Sequence, residues 1–215
     1  IASLRRRKDA FTIRKSMKAV ILSAGKGTRM RELTSNIPKP MLPVRGKPVL
    51  EHIVEGVRAA GINDICIVTG WHAEAIENYF GDGAKFGVSL SYVRQETQNG
   101  TAKAAALAKS FVGNDSFLLA YGDILVDPET YARLIERFSD GAFSGVVAVR
   151  KGEDVRKGGL FFFDKEFVLA NLVEKPSDEE IERLKKEGWI REGEPLWYNA
   201  AVGIFSPAIF EFIEK

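Results

Sequence analysis

The sequence is short of the residues that staple or metallate small proteins: among 215 residues there are one cysteine and two histidines. A single cysteine closes no internal disulfide, and Cys66 sits in the apolar run Ile65-Cys66-Ile67-Val68, which reads as a buried strand. A reducing, cytoplasmic setting is the expectation. So few soft ligands make neither a zinc site nor a Cys/His nucleophile pair, with His52 on the polar flank of one helical stretch and His72 opening another. No apolar run approaches the roughly 18 residues of a membrane-spanning helix, and no charged-then-apolar leader ends in a small-residue cleavage site. No membrane partner is expected.

Net charge is almost absent as well. Lys and Arg number 31 against 29 Asp and Glu, a formal +2, but the balance is uneven. Residues 1–16 carry Arg5, Arg6, Arg7, Lys8, Arg14 and Lys15 against Asp9, a net +5, which leaves −3 for the remainder. Such an arm fits a nucleic-acid or anionic-lipid contact, but it opens without Met, and Met17 stands directly before the first strand pattern, so a basic, vector-derived or non-native extension is the preferred reading of residues 1–16. A body at −3 argues against a nucleic-acid partner. The 45% hydrophobic share excludes disorder.

From Lys18 onward short apolar runs alternate with helical stretches, the mark of strands joined by crossover helices. Strands are expected at 19–23, 64–69, 89–94, 116–121, 143–149 and 197–205, and helices at 48–61, 72–80, 101–110, 128–138 and from Pro207. Apolar runs at 160–163 and 167–173 flank Asp164-Lys165-Glu166 as a hairpin inserted into that scheme. Ser177-x-x-Glu180 is a capping box that opens a charged helix running to Glu187. The connection 31–47 carries Pro38, Pro40 and Pro43, which prevent regular helix. The fold class expected is α/β: a doubly wound, mainly parallel, Rossmann-like sheet flanked by helices, with the inserted β-hairpin, forming one domain over residues 17–215.

The strongest chemical feature is Leu22-Ser23-Ala24-Gly25-Lys26-Gly27-Thr28-Arg29, running off the end of the first strand. Two glycines let backbone N–H groups approach an anion and the cations add charge, so the physical reading is a phosphate cradle, although a lone G-x-G also fits a plain turn. The P-loop pattern is missing, and Met30 occupies the third glycine of the dinucleotide fingerprint, which argues against a nicotinamide-dependent dehydrogenase. Pro38-Lys39-Pro40 puts a lysine on a stiff segment that can return to the same strand end, where by itself it would be a solvated loop lysine. Lys26, Arg29 and Lys39 together set three cations around one crevice, which suits a triphosphate, and ligands of open α/β sheets bind beyond the carboxyl ends of the strands. Asp123 ends the apolar run 117–121 after Gly122. A carboxylate there is placed to hold Mg2+ against phosphates, and equally to cap a turn.

Residues 17–215 resemble the sugar-1-phosphate nucleotidyltransferase family. The resemblance is carried by Leu22 to Met30, Leu33-Thr34, Pro38-Lys39-Pro40-Met41-Leu42-Pro43-Val44, Gly46-Lys47-Pro48, Gly100-Thr101-Ala102, Gly122-Asp123, Glu174-Lys175-Pro176 and Asn199-Ala200. It implies an enzyme that makes an NDP-sugar and pyrophosphate from an NTP and a sugar 1-phosphate, with Mg2+ as cofactor. By that resemblance Arg29, Lys39, Asp123 and Lys175 are the catalytic set: Arg29 and Lys39 on the triphosphate, Asp123 on Mg2+ and Lys175 on the sugar phosphate. Leu22, Ala24, Gly25, Lys26, Gly27 and Thr28 would line the nucleotide, Gln95 would bond the base edge with Gly100 and Thr101 closing that pocket, and Gly159, Glu174 and Asn199 would contact sugar hydroxyls.

The run Gln95 to Ala102 resembles the uridylyltransferase pocket more than the thymidylyl form, with guanylyl and thymidylyl transfer as alternatives. The alternative from another class is a catalytically silent NDP-sugar-binding regulatory homologue. Retention of Arg29, Lys39, Asp123 and Lys175 argues against it, because charge that matters mainly in the transition state is dispensable to a sensor. Two departures from the family pattern stand out. Asn199-Ala200-Ala201 replaces Asn-Ala-Gly, adding a methyl group at the sugar pocket. The family's second metal-binding Asp falls beyond Lys215, so a C-terminal truncation is expected. The sequence leaves the sugar, and assembly into a homo-oligomer, open.

Overall fold

Apolar runs of five or six residues set the scaffold, and Gly, Pro and charged clusters set its joints. The computed structural model describes residues 17–27, 37–141, 143–152 and 159–213, so the basic arm at 1–16 lies outside the described residues. In chain order the elements are β1 (Lys18–Leu22), a 3-10 turn (Lys39–Met41), β2 (Pro43–Val44), β3 (Lys47–Pro48), α1 (Val49–Ala59), β4 (Asp64–Thr69) and α2 (Ala73–Phe80). A second 3-10 turn (Ala84–Phe86), β5 (Ser89–Arg94), α3 (Thr101–Ala106), α4 (Lys109–Val112), β6 (Phe117–Tyr121) and α5 (Glu129–Ser139) follow. The chain then forms β7 (Gly145–Gly152), β8 (Gly159–Phe163), β9 (Leu169–Glu174), α6 (Asp178–Lys186), β10 (Leu196–Phe205) and α7 (Ile209–Ile213). Two compact units result, one from the described residues up to 146 and from 202 on, the other from those in 147–201.

In the first unit β5, β4, β1 and β6 lie side by side in that order, all parallel, and residues from Val202 onward in β10 add antiparallel to β6. The sheet is mixed, mainly parallel and flanked by helices. Val20 stands in register between Cys66 and Leu119. Ala19, Val20, Ile21, Ile65, Cys66, Ile67 and Val68 are wholly buried, which is why these strands show no polar alternation. One core cluster joins Val20, Cys66 and Val68 to Ala104, Ala108, Val112 and Phe210, with the Phe117 and Phe210 rings stacked at 5.4 Å. Each large side chain so buried contributes roughly 1.5–3 kcal/mol before entropy is counted. Burial also pushes the Cys66 thiol up, keeping it protonated and inert.

The Ala-rich stretch expected as one helix over 101–110 is two, α3 and α4, with the break at Leu107-Ala108. Ala104, Ala108 and Val112 all face the same core cluster. In the connection read as irregular, the described part holds the 3-10 turn with Pro40 in its first residues and the two-residue pair β2–β3.

In the second unit β8 and β9 form the expected antiparallel hairpin, and the first half of β10 lies antiparallel on the other side of β8, pairing Trp197 with Phe161 and Tyr198 with Leu160. The second hairpin strand starts at Leu169 rather than 167, because Asp164 Oδ1 accepts from the N–H groups of Glu166 and Val168 and Phe167 takes φ +59°. The capping box is present: Glu180 N–H donates to Ser177 Oγ and Ser177 N–H to Glu180 Oε2. Leu160, Phe162, Leu184 and Tyr198 form this unit's core. Among the described residues no helix is long and apolar enough to cross a membrane.

Candidate active site

In a parallel sheet the carboxyl ends of all strands open on one edge, and here four of them are stitched together just past their last residues. Ser23 N–H donates to Val68 O, Gln95 N–H to Thr69 O and Gly122 N–H to Leu22 O, each at 2.8 Å. Gly70 and Gly122 make that convergence sterically feasible. A Cβ at Gly70 would stand 2.8 Å from Ala24 O, and one at Gly122 would run into Ser23 Oγ and lie 3.2 Å from Leu22 O. Among the described residues the buried Ser23 hydroxyl has no hydrogen-bond partner.

The residues expected to cradle phosphate, Leu22, Ala24, Gly25, Lys26 and Gly27, come off β1 onto this edge. Ala24 is buried while Gly25 and Lys26 are exposed, and Gly27 takes φ +61°. Among the described residues the space beside Gly25 is open, with nothing within 4 Å of where a Cβ would sit. Thr28 and Arg29 lie outside the described residues. Lys39 does return to the sheet edge. Pro38, with φ −64° and ψ 143°, delivers the chain into the 3-10 turn, and buried Pro40 anchors it. Lys39 Nζ then stands 2.6 Å from Asp123 Oδ2, with the two side chains 32% and 30% exposed.

Gln95 follows directly on β5 and is 9% exposed. Its Nε2 donates to Asn99 Oδ1 at 3.1 Å and to Gly100 O at 3.4 Å, so the expected base-reading glutamine and the Gly100-Thr101 start of α3 share one short loop. Behind it lies a charge network that the sequence did not announce. Arg94 Nε and Nη2 donate to the Glu77 carboxylate at 3.0 and 2.6 Å, Arg94 Nη1 lies 3.0 Å from Glu74, and the buried Thr69 hydroxyl donates to Glu77 Oε1. The Arg94 guanidinium holds the Glu77 carboxyl below its ordinary range. The network locks the ends of β4 and β5, the two strands from which Gly70 and Gln95 emerge.

The second unit gathers the other expected residues. Gly159 opposes Glu174 across β8 and β9, and a Cβ at Gly159 would meet Glu174 Oε2 at 2.7 Å. Lys175 follows with φ +44° and its Nζ 3.9 Å from Glu174 Oε1, both side chains exposed. Asn199 lies one residue beyond the Tyr198–Leu160 pair, as Gly159 does on the opposing strand. Asn199 Oδ1 accepts from Ala201 N–H at 2.8 Å, and Ala201 takes φ +63°, a conformation that favours the glycine of the family pattern.

Among the described residues, the carboxylate that a divalent cation would find at this edge is that of Asp123. No group of three or more His, Cys, Asp or Glu side chains able to enclose a metal occurs among the described residues. One accessible carboxylate suits Mg2+, which keeps several waters and completes its shell with substrate phosphates.

Residues 18–215 match the family model described as nucleotidyl transferase. Over 202 residues the chain is 37% identical to the low-salt glycan biosynthesis nucleotidyltransferase Agl11 of Haloferax volcanii, an alignment that covers 93% of this chain and 52% of that protein. The chain thus spans about half the length of that relative. It is 32% identical to a UTP-glucose-1-phosphate uridylyltransferase of Staphylococcus epidermidis, covering 94% of this chain and 76% of that one. A crystal structure of UDP-glucose pyrophosphorylase complexed with UDP-glucose resembles it with a TM-score of 0.74 at 25% identity, over 94% of this chain and 80% of that one. A glycine-bearing loop at the end of β1, an aspartate at the end of β6 and a family match over nearly the whole length agree: the chain belongs to the nucleotidyl transferase family, among the sugar-1-phosphate nucleotidyltransferases.

Proposed function

We propose that this chain transfers a nucleoside monophosphate, uridylyl by preference, from an NTP to a sugar 1-phosphate, releasing pyrophosphate in the cytoplasm. The observation that carries the reading is the Lys39–Asp123 pair at the carboxyl edge of a mainly parallel sheet. A cation and a carboxylate at hydrogen-bond distance are the minimum pair for holding a phosphate chain and its counter-ion. A phosphate oxygen of the sugar 1-phosphate attacks the α-phosphorus in line, a new P–O bond forms, and the bond to the β-phosphate oxygen breaks with pyrophosphate leaving. No covalent bond to the protein is needed, so the side chains act by position and charge.

In this reading Lys39 and Arg29 sit against the triphosphate and take up charge developing at the α-phosphoryl oxygens. Backbone N–H groups of the loop after β1 hold the β- and γ-phosphates. Asp123 holds Mg2+, which when bound would neutralise phosphate charge. Gln95, Gly100 and Thr101 receive the base, Gly159, Glu174 and Asn199 the sugar hydroxyls, and Lys175 the sugar phosphate. The uridylyl preference is supported by the glutamine-rich loop 95–98 and by the name of the staphylococcal relative. Pyrophosphate release measured over a matrix of four NTPs and several sugar 1-phosphates with Mg2+ tests the proposal. Turnover is expected with UTP and one or a few sugars. No turnover with any pair, together with tight NDP-sugar binding, would replace it by the regulatory reading.

A further inference from the structure

The carbonyl oxygen of Ala24 is held from across the sheet edge. Gln98 Nε2 donates to it at 2.9 Å from 74 residues away, and Trp71 N–H approaches the same oxygen at 3.4 Å. Gly70 packs so closely on Ala24 that a Cβ there would stand 2.9 Å from Ala24 Cβ as well as 2.8 Å from the oxygen, so Ala24 has no room to turn aside. A trans peptide is planar, with its C=O and N–H pointing in opposite directions. Fixing the Ala24 carbonyl toward Gln98 and Trp71 therefore fixes the Gly25 N–H in the opposite direction. Among the described residues no hydrogen bond occupies that N–H, and the space beside Gly25 is open.

Gln98 belongs to the loop that begins at Gln95 and ends at Gly100. The loop is tied to itself by Gln95 Nε2 on Asn99 Oδ1 and by Asn99 N–H on Thr97 O. Gln98 is the member that reaches out of it, and its neutral amide adds no charge to compete with a phosphate. We propose that Gln98 is a positioning residue: it locks the Ala24–Gly25 peptide so that the Gly25 N–H is presented to a phosphate, which ties the loop that would read the base to the loop that would hold the triphosphate. This inference rests on the nucleotide-site reading given above and adds to it a residue that touches neither base nor phosphate.

The test uses inorganic tripolyphosphate, a probe with no base and no sugar. Gln98→Met keeps the length of the side chain and removes the donor, and Gln98→Glu removes the donor while keeping a polar tip. Gln98→Met is expected to weaken tripolyphosphate binding about five- to tenfold, the effect of losing one hydrogen bond, and Gln98→Glu, which also adds a negative charge near the polyanion, by more. KM for the NTP should rise by a similar factor in Gln98→Met, with KM for the sugar 1-phosphate and the thermal midpoint unmoved. Gln98 is exposed, so the variants fold. Wild-type affinity in both variants overturns the inference and leaves the nucleotide site standing. Equal rises in both KM values also overturn it, because general loosening and not the Ala24 carbonyl would be the cause. Failure of the wild-type chain to bind tripolyphosphate or any NTP removes the nucleotide-site reading itself.

Discussion

Lys39 and Asp123 lie 84 residues apart in the chain and 2.6 Å apart in space, joining the proline-bounded turn after β1 to the end of β6. With about a third of each side chain exposed, the pair is reachable from solvent. In the proposed reaction Lys39 exchanges its carboxylate partner for phosphate oxygens as Asp123 takes up the cation. Lys39→Met should therefore lower kcat for pyrophosphate release by about 10²–10³. Its effect on unfolding free energy should stay below about 1 kcal/mol, as for other partly exposed ion pairs. Chemical denaturation and steady-state kinetics on the same preparation separate the two effects.

Gly122 has no room for a side chain. The Cβ of an alanine would press on Ser23 Oγ and on Leu22 O, where β6 and β1 are tied by the Gly122 N–H. Gly122→Ala is expected to cost about 1–3 kcal/mol in stability, the usual range for overpacking. It should also lower activity by shifting the adjoining Asp123. A wild-type melting curve would contradict the close approach described here.

Ala201 offers the opposite case. Its φ of +63° costs a β-carbon-bearing residue roughly 1–2 kcal/mol, and Ala201→Gly recovers that while giving about 0.4–1 kcal/mol back through a looser unfolded chain. The expected net gain is about 0.5–1 kcal/mol, seen as a thermal midpoint higher by about 1–3 °C. The residue 201 N–H that Asn199 Oδ1 accepts from is retained. A lower midpoint would contradict the strain.

Alkaline pH should find the packing of α1 on α5. Tyr131 is 2% exposed and packs on Gly56, and burial pushes its phenol from 10.0 up to about 12. Below pH 10 the folded and unfolded forms are both protonated. Between about 10 and 12 only the unfolded chain gives up the proton, so stability falls with rising pH, by roughly 2–3 kcal/mol over the window. Tyr131→Phe should flatten that part of the profile in denaturation curves. Tyr92, also raised to about 12 chiefly by burial, accounts for a share of what remains.

The parallel strands were legible because wholly buried strands write unbroken apolar runs, as 19–21 and 65–68 do. The return of Lys39 was legible because two prolines stiffen its segment, and Asp123 because it ends an apolar strand behind a glycine. Three features carry no such local mark. The break at Leu107-Ala108 is hidden in an Ala-rich stretch whose propensity is uniformly helical. The φ of Ala201 sits inside an ordinary strand pattern and is visible only against the Asn-Ala-Gly of the family. The links from Gln98 to Ala24 and from Arg94 and Thr69 to Glu77 join polar residues by tertiary approach, and neither periodicity nor spacing encodes them.

The most direct measurement is pyrophosphate release by the wild-type chain and by Asp123→Asn, at saturating UTP and the best sugar 1-phosphate, across a Mg2+ titration. The account predicts turnover that requires both substrates and Mg2+ in the wild type. In the variant it predicts a loss of about 10²–10³ in rate, with a Mg2+ dependence shifted to higher concentration and an unchanged fold. Equal rates at every Mg2+ concentration would contradict it.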